Sequence, residues 1–143
     1  MKRKYISIGW FFDAVHADFQ YLVDDYGFSA PKHHPYRIDG EVIYRTRITS
    51  VHVIFSHRDE PRAVNVYLTQ LEKGREPVNM VLHTRGIVEI MEVSNSAKSA
   101  ELEVVLAGND YLASVSACAK AVKEYASDIL LGDFSKFDIT DYC

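Results

Sequence analysis

Cysteine is scarce in this chain: Cys118 and Cys143 are the only two among 143 residues. A small secreted domain stapled by disulfides carries more, so the fold has to be held by its core. Glycine and proline are also few, seven and four, which excludes a collagen-like or low-complexity chain. No apolar run approaches the roughly 20 residues that span a bilayer, so no membrane partner is expected. Met1-Lys2-Arg3-Lys4 followed by the apolar Tyr5 to Phe12 has the order of a signal peptide. Asp13 interrupts that run early, however, and no small-residue cleavage site follows. The N-terminus therefore reads as mature and the protein as cytoplasmic. Positive charge is in deficit, 16 Lys and Arg against 20 Asp and Glu, for a net −4. That is the wrong sign for a nucleic-acid-binding surface. Catalytic signatures are missing too. There is no GxGxxG, P-loop, GxSxG or HExxH, so no cofactor, metal or catalytic residue is expected from motifs.

What remains is a globular composition, with 48% hydrophobic and 25% charged residues, sized for one domain over 1–143. Phe12, Val15, Phe19, Leu22, Val23 and Tyr26 recur at helical spacing and predict a helix over Phe12 to Tyr26. Gly27 closes it and Phe28 folds back on it. Ser29 to Pro35 reads as a loop, bounded by Pro31 and Pro35. Asp39-Gly40 marks a tight turn between Tyr36-Arg37-Ile38 and the strand at Glu41. Glu41 to Arg45, Val51 to Ser56 and Ala63 to Leu71 alternate apolar and polar residues, the period of strands with one face on a core. His57 to Arg62 links the last two as an antiparallel hairpin. Glu76 to Val93 fits a short helix or an irregular crossing, and Ser94 to Ser99 reads as a loop by composition. Ala100 to Leu106 extends the final helix or forms a turn before it. That helix starts at an Asn109 or Asp110 cap and runs to Gly132 on an apolar stripe through Val115, Cys118, Val122, Ile129 and Leu130. The expected fold is α+β: a three- to four-stranded antiparallel sheet packed against the N-terminal and C-terminal helices.

Several residues carry potential chemistry. Cys118 on the helix stripe reads as a small buried hydrophobe. Adjacent His33 and His34 point apart and do not ligate one metal together. His52 and His57 with Asp59 and Glu60 could hold a divalent ion if the hairpin joined them, but a polar hairpin tip is the simpler reading. Trp10, Phe11 and Phe12 read as core at the edge of a helix. Charge is unevenly spread. From Ala100 to Cys143, eight acidic residues oppose three lysines, a balance of −5. Glu124, Asp128, Asp133 and Asp138 are the candidate contact surface for a basic protein partner, since charge steers association and selects partners.

Two segments carry a resemblance: Phe19-x-x-Leu22-x-x-x-Tyr26-Gly27-Phe28, and Tyr125-Ala126-x-x-Ile129-Leu130-Leu131-Gly132-Asp133-Phe134-Ser135. With the β stretch between them, the chain resembles a group of small bacterial α+β proteins. Some of these are similar to the immunity proteins that protect a cell from a toxin. The resemblance implies a non-enzymatic protein-binding module, an immunity-type inhibitor whose partner is a basic toxin, and it supplies no catalytic residues. Two other readings stand beside it. One is an enzyme or small-ligand protein with a site assembled from His52, His57, Tyr67 and Cys118. The other is a homodimer or larger homo-oligomer joined through an open sheet edge or through Tyr5 to Phe12.

Overall fold

Alternation along the central strands decides which face of the sheet meets the core. In β2 (Asp39–Arg45) Val42 and Tyr44 are buried, while Glu41, Ile43 and Arg45 are half-exposed. In β3 (Thr49–Phe55) Val51, Val53 and Phe55 are buried, and in β4 (Val64–Gln70) Val64, Val66 and Leu68 are. The antiparallel register aligns Val42 with Val53 and Val53 with Val66, so these residues share one inner face. The computed structural model describes residues 8–36, 39–57 and 62–137. The His57 to Arg62 connection falls largely outside them.

Among the described residues the sheet has five strands in the order β1-β2-β3-β4-β5, each antiparallel to its neighbours. Three or four were expected. The first correction is β1 (Lys32–Tyr36), which takes up most of the supposed Ser29 to Pro35 loop and ends on Tyr36. Pro35 is tolerated because β1 is an edge strand, with no neighbour on its open side among the described residues. The second is β5 (Thr84–Gly86), too short to show a period in sequence. Asp39 and Gly40 are not a turn. They open β2 and pair with Tyr36 and Pro35.

The helices cover the inner face. The first expected helix is two: α1 (Gly9–Asp18) and α2 (Gln20–Tyr26), broken at Phe19, whose backbone leaves the helical region at φ −104°, ψ 9°. Phe19 stays fully buried, as do Val15 and Leu22 on either side of the break. Gly27 ends α2 at φ +73°, where a side chain is strained, and the Phe28 N–H donates to the Leu22 carbonyl at 3.0 Å. Phe11 and Trp10 pack on Phe55, and Phe19 stacks on Tyr44. Phe11 is therefore core, and Trp10 and Phe12 are half-buried side chains packed against it.

Glu76 to Val93 resolves into α3 (Met80–His83), β5 and α4 (Ile87–Ser94). The supposed loop Ser94 to Ser99 begins α5 (Ser96–Ala107). Its polar composition is capping chemistry: the Asn95 side chain accepts from the Lys98 N–H at 3.2 Å, and buried Ser99 donates to the Val88 carbonyl at 3.1 Å. α5 is thus separate from α6 (Tyr111–Tyr125), which Asp110 caps through the Ala113 N–H at 3.0 Å. A short α7 (Ser127–Leu130) follows. Val115, Cys118, Val122 and Ile129 complete the core. Among the described residues no helix is long and apolar enough to cross a membrane.

Candidate functional site

A cleft of about 380 Å³ opens where the β4–β5 end of the sheet meets α4 and α5. That volume is in the range of ligand pockets, about 300–1,000 Å³. Its floor is apolar, from Val66, Ile87, Val88 and Leu106, with Tyr67 and Gly86 at the sheet side. Its polar groups are Arg62, Asn65, Glu89, Glu92 and Glu103. Each is placed by local structure. The Asn65 side chain donates to the Arg62 carbonyl at 2.9 Å, fixing the chain as it enters β4. Glu89 accepts from the Gly86 N–H at 3.2 Å and so sits at the first turn of α4. Glu92 follows three residues later, which keeps both carboxylates on one side of the helix. Glu103 comes from α5.

Three carboxylates face one guanidinium, so the cleft is acidic. Arg62 does not neutralise it closely: its Nη1 is 3.9 Å from Glu103 Oε1, and both side chains are more than two-fifths exposed. The Arg62 Nε is buried with no hydrogen-bond partner among the described residues. Such an arrangement attracts a cationic group while the apolar floor accommodates its aliphatic stem.

Of the expected contact residues, Glu124 on α6 and Asp133 are exposed and Asp128 is half-buried. Asp128 accepts from its neighbour's Ile129 N–H at 2.9 Å and from Lys136 Nζ at 3.3 Å. Asp133 accepts from the Ser135 N–H at 3.0 Å, and that bond holds its carboxyl below the usual carboxylate range. Both aspartates are engaged in ending the C-terminal helices. Asp138 lies outside the described residues. Sequence reasoning missed Glu89, Glu92, Glu103 and Arg62 because the segment that brings them together had no clear period. The one available signal was Glu89 and Glu92 at helical spacing.

The four residues of the assembled-site reading are not brought together. His52 and Tyr67 are register partners on the outer face, and both line a cavity of about 170 Å³ with Ile54, Thr69, Met80 and Thr84. His57 stacks on Phe55, whose side chain is on the inner face. Cys118 is in the core behind the sheet. His52 instead joins Glu41 and Ser50: its Nδ1 is 2.9 Å from Glu41 Oε2 and its Nε2 is 3.0 Å from Ser50 Oγ. The order is that of nucleophile, base and orienting carboxylate. Ser50 is wholly buried, however, and no substrate can reach its hydroxyl. The trio acts as a polar lock across β2 and β3. Asp59 and Glu60 lie outside the described residues, and among those described no three His, Cys, Asp or Glu converge as a metal site.

Burial pushes the Cys118 thiol up to about 12, so almost no thiolate is present near neutrality. In a Cys143→Ser background at pH 8, a maleimide is expected to leave the native protein unlabelled. It should modify Cys118 fully once urea unfolds the chain. Fast labelling of the native protein would show that the core around α6 opens.

No family model, curated protein or solved structure matches this chain.

Proposed function

We propose that the chain is a non-enzymatic, cytoplasmic protein-binding module that captures a basic partner, as an immunity-type inhibitor captures a toxin. The observation that carries the reading is the acidic cleft between the end of the sheet and the α4–α5 pair. Glu89, Glu92 and Glu103 over the floor of Ile87, Val88 and Leu106 suit a lysine or arginine side chain projecting from a partner. In this reading the cleft is the partner surface, and the acids of the C-terminal helices add long-range attraction. Pairing of sheet edges with a second copy is disfavoured. Edge strand β1 carries Lys32 and Pro35, and β5 is three residues long.

The test is co-purification with the products of neighbouring genes, followed by binding measurements on three proteins: wild type, Glu89→Lys/Glu103→Lys and Asp128→Lys/Asp133→Lys. The cleft reversal is expected to weaken a basic partner at least about tenfold, mainly through a faster off-rate, because it replaces attraction by repulsion at a partly desolvated site. The C-terminal reversal should act mainly on the on-rate and fade as salt is added. A partner that binds the cleft variant as tightly as wild type overturns the assignment of the surface. Capture of no basic protein overturns the function itself.

A further inference from the structure

His16 and His33 meet where α1 passes over β1. His16 is in the last turn of α1, and His33 is the second residue of β1. Register pairs His33 with Val42, an inner-face residue, so its ring lies on the helix side of the sheet. There Phe12 stacks on it, with ring centres 4.6 Å apart and planes 10° from parallel. The two Nε2 atoms are 2.5 Å apart, and both residues are exposed to solvent. The two rings are hydrogen-bond partners, one Nε2–H donating to the other Nε2, so two imidazole nitrogens from separate elements converge on one point of the surface.

We propose that His16 and His33 form a binding site for a late first-row divalent cation, Zn²⁺ or Cu²⁺, ligated through both Nε2 atoms. Imidazole is the nitrogen ligand that suits these ions. Metal–nitrogen bonds of about 2.0–2.1 Å at a tetrahedral angle hold two nitrogens roughly 3.3 Å apart. The rings thus need to separate by about 0.8 Å, a small torsional change for two solvent-facing side chains. Their supports are firm, one a helix and the other a strand hydrogen-bonded along its length to β2. Desolvation, with the neighbouring His16 adding to it, lowers the proton affinity of His33 below the ordinary histidine value, which favours the neutral form that binds metal. Asp13 precedes His16 by three residues and adds negative charge on that side of α1. Among the described residues no third His, Cys, Asp or Glu joins the pair. Water or an external ligand therefore completes the shell, and the site is open and exchangeable rather than a closed structural one. This site is separate from the acidic cleft and stands or falls independently of it.

The test uses untagged full-length protein in the Cys143→Ser background. Zn²⁺ and Cu²⁺ are titrated separately by calorimetry, and the imidazole ¹⁵N resonances are followed with Zn²⁺. One equivalent is expected to bind, moving the Nε2 signals of His16 and His33. Removal of an outer-shell partner already costs on the order of 10–100-fold in affinity, so His16→Ala and His33→Ala should each lose at least that much. His34→Ala, whose side chain points to the opposite face, should bind like wild type. Ring signals that respond to pH but not to metal mean that the pair shares only a proton, and the proposal is then wrong. Undiminished binding by His16→Ala also overturns it. Circular dichroism of each variant checks that the fold is kept.

Discussion

Phe11→Ala is expected to destabilise the protein by about 3–5 kcal/mol, the usual cost of truncating a buried phenylalanine. Phe11 is fully buried and sits among Trp10, Phe12 and Phe55, with ring centres 5.7 to 5.9 Å away. It joins α1 to β3 at the end of the core. The loss removes dispersion contacts and leaves a cavity that rigid neighbours fill only in part. Domain stability is typically about 5–15 kcal/mol, so a large fraction would disappear. The single tryptophan, Trp10, stacks on Tyr111 and packs edge-on to Phe55, so its fluorescence reports this region during urea unfolding. The midpoint should fall sharply while the slope stays the same. Leu112→Ala is the control: Leu112 is 56% exposed, and a change within about 0.5 kcal/mol is expected. A loss below about 1 kcal/mol for Phe11→Ala would mean that α1 is not docked on the sheet as described.

The second large effect concerns the polar lock on the outer face. Glu41→Gln is expected to cost about 1.5–3 kcal/mol at pH 6, the worth of a hydrogen bond to a charged group. The bond from His52 is the main reason the Glu41 carboxyl is held below its ordinary value of 4.5; partial burial opposes it, and the charges of His52, His34 and Arg45 assist. The sign follows from linkage. A carboxyl whose pKa is depressed in the folded state adds stability above its unfolded pKa, and that stability is lost as pH falls through the folded value. The gap between wild type and Glu41→Gln should therefore narrow from pH 6 to pH 3. Urea titrations at the two pH values measure it. An equal gap at both would show that Glu41 acts through packing rather than through its charge. His52→Ala should be at least as costly at pH 6, because it leaves both Glu41 and buried Ser50 without their shared partner.

The regular parts of the fold were legible because their period is a local property. Val51, Val53 and Phe55 alternate with His52 and Ile54 whatever surrounds them, and Gly27 and Asp110 act within a single turn. The elements that escaped lack such local marks. β1 contains a proline and adjacent histidines, and it is a strand only because β2 is beside it. Three-residue β5 exists only as the partner of Tyr67, Leu68 and Thr69. The break at Phe19 left no mark in the sequence, because Val15, Phe19 and Leu22 keep the spacing of one continuous helical face. The same reasoning applies to the acids. Composition showed where negative charge is dense along the chain, but Asp128 and Asp133 are engaged by Lys136 and Ser135 within their own turns.

By itself the sequence determined the α+β class, the inner face of the three long strands, the anchoring helices and the burial of Cys118. These rest on periodicity and capping, which act between residues a few positions apart. Only the tertiary structure decided which distant groups meet. It joined Arg62 and Glu103 across 41 positions, His16 and His33 across 17, and Glu41 and His52 across β2 and β3. Strand register and helix packing set those meetings. They are properties of the whole chain collapsing onto one core, and no local pattern encodes them.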